Sequence, residues 1–188
     1  MNDLFSERSS PAEPIGQALE RNFGRGSTAE RLGFGGFKGK VVADIGTRDG
    51  RFVPMFRKLG AREVYGVDPN VEDLNKAIGS GILDREHAIP TKLEEMPYKL
   101  RGVVDVGVVF NFNIPISERS EFFQALREIL APSGEVVMTV AEREIYWAVI
   151  PLMEEFFNLE YTQLRRVEED YPHKYLVIGK IKAKTKLR

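Results

Sequence analysis

The chain has 188 residues, a net charge of -1, and 43% hydrophobic and 29% charged residues, which predicts one globular domain with a sizeable core. The balanced charge argues against an overall nucleic-acid-binding surface, and the lack of cysteine excludes disulfides, thiolate metal sites and cysteine nucleophiles. The two histidines, His87 and His173, are far apart in the sequence, so no metal site is expected. The N-terminus is polar and there is no long apolar run, so we expect a cytoplasmic protein without membrane contacts.

Residues 1–39 precede the first predicted strand and contain an arm, a short helix at 15–23 and a glycine-rich loop from 24 to 39. Apolar residues at intervals of four predict the helix, and one further helical turn is expected at Thr28–Leu32. The loop is either a lid over a binding site or a plain linker, and we favour the linker slightly. The main domain is predicted to extend from residue 40 to residue 188.

The main domain alternates between predicted strands and helices. Strands are predicted at residues 40–45, 63–67, 87–89, 103–110 and 135–140. Helices are predicted at residues 50–59, 70–78, 115–130 and 142–157. Asn70 is the expected cap of the second of these helices, which should bury Val71, Leu74 and Ile78. Two final strands, at 159–167 and 174–182, are joined by too few residues for a crossover helix, so they must be antiparallel neighbours. The pattern is therefore α/β.

The stretch from 41 to 68 has the order strand, tight turn, helix, strand, and each strand ends in an acid, Asp44 or Asp68. Such a turn holds a nucleotide-like cofactor, because glycines allow close approach and the helix N-terminus offers N–H groups. The dinucleotide motif G-x-G-x-x-G is not met, since Arg48 and Arg51 stand where it requires glycine. The pattern acid-x-G-x-G-x-G matches at three positions in four. The spacing therefore disfavours NAD.

Four segments, in the correct order, resemble motifs of the class I (Rossmann-like) S-adenosylmethionine-dependent methyltransferases. The segment VADIGTRDG is similar to the family's first motif, and VYGVDPN, LEEMPY and LAPSG are similar to its later motifs. The resemblance covers roughly residues 40–182. It implies a three-layer Rossmann-like sheet of seven strands, in the order 3-2-1-4-5-7-6 with strand 7 antiparallel. It also implies S-adenosyl-L-methionine as the cofactor.

The resemblance also implies cofactor-binding roles for residues near the ends of strands 1, 2, 3 and 4. The implied set is Asp44, Gly46, Thr47, Arg48, Gly50, Asp68, Pro69, Asn70, Leu93 and Asn111. Asp68 would accept hydrogen bonds from both ribose hydroxyls, or would only be the polar end of its strand. Asp44 would orient the turn and help to bind the cofactor's amino group, or would only bond the turn's own N–H groups.

The other implied contacts are with the methionine portion and the adenine. Gly46, Thr47 and Gly50 would lie against the methionine portion and the ribose. Pro69 or Asn70, together with Leu93, would flank the adenine, and Asn111 would face the reacting methyl group.

The sequence departs from the family pattern at two places. Arg48 replaces the middle glycine of the first motif, so its side chain either points away or reaches the cofactor's carboxylate. An arginine there is strained if its φ angle is positive. The segment 90–92 lacks the acid that often reads the adenine amino group, which leaves this task to backbone groups.

The implied function is methyl transfer by in-line displacement. Because positioning supplies most of the catalysis and a base is needed only for a protonated acceptor, no catalytic residue is assigned. We expect a small-molecule acceptor, with protein or RNA less favoured, and a homodimer is one way to complete a site whose substrate-binding segments are short. The alternatives are a non-catalytic S-adenosylmethionine-binding or scaffold module and, less favoured, an NAD-dependent oxidoreductase.

Overall fold

A single mixed sheet forms the centre of the molecule. The computed structural model describes residues 22–23, 27–96, 100–110, 118–140, 149–163 and 175–182. The strands are β1 (Val41–Ile45), β2 (Glu63–Val67), β3 (Ala88–Ile89), β4 (Val104–Val109), β5 (Leu130–Val140), β6 (Phe157–Gln163) and β7 (Tyr175–Ile181). Their order is β3-β2-β1-β4-β5-β7-β6, and β7 runs antiparallel to both of its neighbours. The predicted Rossmann-like fold is confirmed.

Four of the described helices begin where the sequence provides a side-chain cap or a proline. They are α1 (Thr28–Arg31), α2 (Val53–Lys58), α3 (Val71–Gly79), α4 (Arg119–Ile129) and α5 (Ile150–Phe156), with a 3₁₀ turn at Leu93–Glu95. Ser27 and Asn70 each accept first-turn backbone N–H groups with their side chains. Pro54 and Pro151 lie in the first turns of α2 and α5, where a missing N–H costs little.

Two hydrophobic clusters cover the two faces of the sheet. One contains buried side chains of α4 and α5, and the other contains those of α2 and α3. The strands β1 and β4 contribute to both clusters, which is why they read as continuous apolar runs. Within the described part of the chain, no helix has the length and apolarity needed to cross a bilayer.

The structure corrects the predicted burial in α3. Val71 was expected to face the core, but it is 53% exposed, and the buried residues are Leu74 and Ala77. Val71 is the first helical residue, and a side chain there points back beyond the helix end.

The start of β5 also differs from the prediction, which ended a helix at residue 130 and began this strand at residue 135. Leu130 already pairs with Val104, whereas Glu135 pairs with Val106, so the intervening residues form a bulge. A Cβ on Gly134 would lie 2.9 Å from a carbonyl oxygen of the same bulge. Residues 131–134 are thus part of β5, near the end at which this strand begins.

The segment between α1 and β1 is held at the edge of the sheet where the parallel strands begin. The Glu135 carboxylate accepts a hydrogen bond from the Gly35 N–H at 3.3 Å and pairs with Lys40 at 2.9 Å. Lys180 donates to the Gly33 carbonyl at 2.8 Å. This part of the glycine-rich loop therefore lies opposite the predicted site, and the lid stays a prediction for the residues before α1.

Candidate cofactor site

The turn after β1 is tied to the end of β2. The N–H groups of Gly46 and Thr47 both donate to the Val67 carbonyl, at 2.8 and 3.2 Å. Gly46 has a φ of 76°, and the position of a Cβ on it is open space. A ligand can therefore approach the backbone of Gly46 directly.

Arg48 occupies the left-handed region, with a φ of 53°, and is the one non-glycine residue with positive φ among those described. Its N–H donates to the Asp68 carboxylate at 2.9 Å. Its side chain is largely exposed and lies 3.8 Å from Asp73 of α3. The predicted backbone strain is thus present, and the guanidinium is directed toward α3.

Asp68 organises the ends of the turn and of β2. One carboxylate oxygen accepts the Arg48 N–H, and the other accepts the Asn70 N–H at 2.8 Å. The residue is only 6% exposed. Because each carboxylate oxygen has a second lone pair, capping the strand end leaves capacity for ribose hydroxyls. The two roles considered for Asp68 are therefore compatible.

Asp44 lies beneath the turn and is fully buried. Its carboxylate accepts a hydrogen bond from the Thr47 hydroxyl at 2.8 Å. Burial raises the pKa of the Asp44 carboxyl to about 7, a shift that the Thr47 hydrogen bond opposes and the nearby charge of Asp68 reinforces. The contact that the structure shows is with the Thr47 hydroxyl of the turn, and not with an N–H group of the turn as the second alternative expected.

Gly66 of β2 makes room for the turn and was not singled out from the sequence. A Cβ there would lie 2.8 Å from the Thr47 side chain and 2.5 Å from that of Leu83. Gly50 has a similar role, since a Cβ on it would lie 2.8 Å from Ile82. Both glycines allow close packing beneath and behind the turn. The signal for Gly66 was a lone glycine within an apolar strand.

A cavity of about 220 Å³ opens beside the turn, at the carboxyl ends of β1 and β2. Its lining is Ile45, Gly46, Val67, Pro69, Thr91, Lys92, Leu93, Glu94, Glu118 and Phe122. Small-molecule sites usually enclose roughly 300–1,000 Å³, so this apolar cavity suits one part of a nucleoside cofactor, such as a flat purine. We name it the purine pocket.

The purine pocket brings together Gly46, Pro69 and Leu93 from the predicted set. Asn70 instead caps α3, where its side-chain oxygen accepts two backbone N–H groups. Asn111 lies outside the described residues. The other seven lining residues were not among the predicted site residues. Two of them, Glu118 and Phe122, lie at the N-cap and within α4, the helix that follows β4, and the carboxyl end of β4 lies at the same end of the sheet as those of β1 and β2.

The residues present fit an adenosyl cofactor. Asp68 lies next to Pro69, which lines the purine pocket, and Gly46 leaves its backbone open to a ligand. A carboxylate suits a pair of ribose hydroxyls, and the apolar walls suit an aromatic base.

Comparison with solved structures gives the same fold. The N-methyltransferase NodS of Bradyrhizobium japonicum superposes with a TM-score of 0.64 at 16% identity, covering 83% of this chain and 93% of that one. The PH0226 protein of Pyrococcus horikoshii superposes with a TM-score of 0.64 at 18% identity, covering 77% and 83%.

Curated relatives match over part of their length. The tRNA U34 carboxymethyltransferase of Pseudomonas aeruginosa is 31% identical over 139 residues, and that of Idiomarina loihiensis is 27% identical over 140 residues. Each alignment covers 69% of this chain and 40% of the relative. The chain thus matches less than half the length of these relatives.

A family model supplies the assignment. Residues 43–138, about half of the chain, match the model described as a methyltransferase domain. This match spans the turn, Asp68, the purine pocket, all of α4 and most of β5. The chain therefore belongs to the class I S-adenosylmethionine-dependent methyltransferases, the family whose cofactor is S-adenosyl-L-methionine.

Proposed function

We propose that this chain binds S-adenosyl-L-methionine at the carboxyl ends of β1 and β2 and transfers its methyl group to a nucleoside of an RNA. Membership of the methyltransferase family supports the methyl transfer. The observation that supports an RNA acceptor is the name shared by the matched relatives, tRNA U34 carboxymethyltransferase. An RNA acceptor replaces the small molecule expected from the sequence as the first candidate. The cytoplasmic location stays a prediction.

In this proposal each part of the site has one task. Asp68 accepts hydrogen bonds from the ribose hydroxyls with the lone pairs that Arg48 and Asn70 do not use. The purine pocket takes the adenine between Pro69 and Leu93. The open backbone at Gly46 then adjoins the methionine portion of the cofactor.

The reaction depends on the positioning of the acceptor more than on proton transfer. The cofactor supplies a methyl group already activated by a positively charged sulfur. The protein must hold the acceptor in line with that group, and such positioning supplies about 7–11 kcal/mol in favourable cases. A mechanism based on positioning is consistent with a site in which the described acids hold the turn or line the pocket.

A small-molecule acceptor is the second candidate, because the rim of the site is not strongly basic. Arg48 and Lys76 both pair with Asp73, at 3.8 and 2.7 Å, and Arg51 pairs with Asp49 at 3.0 Å. Such pairs reduce the attraction for phosphates on which RNA binding depends. The charges of these three cations are thus partly neutralised by their acidic partners.

The deciding experiment is transfer from methyl-labelled S-adenosyl-L-methionine to bulk tRNA and, separately, to a pool of small metabolites. We expect label in the tRNA fraction. Digestion of the tRNA with nuclease before the reaction should prevent this labelling. Mass analysis of the nucleosides then identifies the base that carries the transferred methyl group. Label confined to metabolites would contradict the RNA acceptor, and no transfer to either would favour the non-catalytic module.

The role of Asp68 is tested by Asp68→Asn. We expect the affinity for S-adenosylhomocysteine to fall at least tenfold, the value of roughly one charged hydrogen bond. Asp105→Asn is the matched control, since Asp105 also accepts a backbone N–H, that of Val41 at 2.9 Å, but at the opposite edge of the sheet. Unchanged affinity in Asp68→Asn, measured by calorimetry on folded protein, would rule out the ribose role.

A further inference from the structure

A cluster of aromatic rings links the N-terminal segment to the carboxyl end of β4. Phe110 directly follows β4 and is only 7% exposed. The Phe23 ring packs on it with a centroid distance of 5.8 Å, and the Phe52 ring packs on it edge-to-face at 5.1 Å. Both distances lie in the range at which aromatic pairs attract each other. The Phe110 ring is therefore held by two segments that are distant from it in the sequence.

The contact with Phe52 ties the end of β4 to the cofactor turn. Phe52 is the residue before α2, and it follows Gly50, the last glycine of the turn. The strands β1 and β4 are parallel neighbours, so their carboxyl ends lie at the same edge of the sheet, where ligands bind in such folds. The Phe110 ring is thus packed against the segment that leads from the turn into α2.

The contact with Phe23 comes from outside the part of the chain that the family model matches. That match begins at residue 43, whereas Asn22 and Phe23 are already buried, at 8% and 6% exposure. The Phe23 ring also contacts Phe34 and Phe37, at centroid distances of 5.9 and 5.5 Å. The N-terminal segment therefore reaches from the start of β1 to the end of β4.

We propose that Phe23 is a positioning residue for methyl transfer, because its ring fixes Phe110 and thereby the start of the chain that leaves β4. Asn111, which the sequence predicts to face the reacting methyl group, is bonded directly to Phe110. A displacement of about 1 Å between reacting groups lowers a rate by about a hundredfold. The inference rests on the proposed function, which puts the transfer at this edge of the sheet, but it does not depend on whether the acceptor is RNA or a small molecule.

Cofactor binding should not depend on Phe23. The purine pocket is lined by none of Phe23, Phe52 and Phe110, and Asp68 is held by backbone N–H groups of other residues. Loss of the Phe23 ring should therefore lower kcat and leave the affinity for the cofactor unchanged. This separation distinguishes positioning from a general loss of folded structure.

The test compares Phe23→Leu with Phe34→Leu. Phe34 is the matched control, because it is 5% exposed and, among the described rings, contacts those of Phe23 and Phe37 but not that of Phe110. Both variants should lower Tm by similar amounts. Only Phe23→Leu should lower kcat, by about tenfold or more, and the Kd of S-adenosylhomocysteine should be unchanged in both. Equal losses of kcat in the two variants, or full kcat in Phe23→Leu, would overturn the inference.

A double-variant cycle tests whether Phe23 acts through Phe110. Phe110→Leu should lower kcat as Phe23→Leu does, and the double variant should lose little more than the more affected single variant, because the two rings act as one unit. Losses that multiply in the double variant would assign the effect of Phe23 to another contact and would contradict the proposed role.

Hydrogen exchange at residues 104–110 gives a readout that requires neither cofactor nor acceptor. Exchange there should be faster in Phe23→Leu than in the wild type and unchanged in Phe34→Leu; wild-type exchange in Phe23→Leu would count against the inference. Phe23→Met, which replaces the ring with a flexible apolar side chain, is a second variant with the same expected results. If the wild type transferred no methyl group to tRNA or to metabolites, the proposed function itself would fail. That result is distinct from a wild type that transfers and a Phe23→Leu variant that keeps the full rate.

Discussion

At the scale of single residues, the turn after β1 is held in a conformation that its sequence opposes. Arg48 has a φ of 53°, where an L side chain costs about 1–2 kcal/mol. Asp68 helps to maintain it by accepting the Arg48 N–H at 2.9 Å. The family's glycine at this position would adopt the same backbone without that cost.

We therefore expect Arg48→Gly to raise the free energy of unfolding by about 1 kcal/mol. The measurement is urea denaturation followed by far-UV circular dichroism. Arg48→Ala is the control, because it removes the guanidinium and keeps the strained backbone. Equal stabilisation in both variants would assign the effect to the side chain, against the strain argument.

The buried carboxyl of Asp44 makes stability depend on pH. Its pKa is raised from 3.8 to about 7 in the folded protein, so the native state holds a proton that the unfolded state releases. Stability should therefore fall as pH rises from about 4 to about 7, by at most about 4 kcal/mol from this group.

Asp44→Asn should remove this component, because a neutral amide still accepts the Thr47 hydroxyl hydrogen bond and does not ionise. Denaturation at pH 5 and pH 8 measures it: the loss of stability between the two should be smaller in Asp44→Asn than in the wild type. An equal loss in both proteins would show that Asp44 is ionised throughout.

At the scale of elements, the sequence predicted which helices and strands form, and in what order, better than it predicted which side chains are buried and where a strand begins. The periodicity of α3 indicated Val71 as buried, but the first residue of a helix has no preceding turn to cover it. Likewise Ala131 and its neighbours read as a turn, and only pairing with β4 makes them a bulge. Both outcomes depend on neighbours that lie far away along the chain.

The link between the N-terminal segment and the sheet is a second result at this scale. Glu135 contacts Gly35, Lys40 and Lys180 and is almost fully buried. Glu135→Gln should lower the free energy of unfolding by about 1–3 kcal/mol, because two partly covered lysines lose their counter-charge.

Hydrogen exchange at residues 33–40 should rise in the same variant. Glu128→Gln is the matched control, since Glu128 and Arg101 form an exposed pair at 3.7 Å of the kind that contributes about 0–1 kcal/mol. A stability loss no larger than the control's would show that Glu135 does not hold the segment.

At the scale of the whole molecule, cofactor binding should stabilise the entire sheet. At a free concentration of about 100 times Kd, a ligand adds about 2.7 kcal/mol to the free energy of unfolding. This corresponds to a rise in Tm of about 5–10 °C for a chain of this size. We expect this rise with S-adenosylhomocysteine and none with NAD at the same concentration. An equal rise with NAD would revive the oxidoreductase alternative. The homodimer stays a prediction.

The sequence by itself determined the α/β order, the antiparallel final hairpin, the turn and its acids, because these depend on local periodicity and on glycine spacing. The tertiary structure decided what those acids contact. Asp44 is buried under Thr47, Asp68 is shared between Arg48 and Asn70, and Glu118 of a later element completes the purine pocket. Such contacts arise where strands distant in sequence end at the same edge of the sheet, and no local pattern records which side chains meet there.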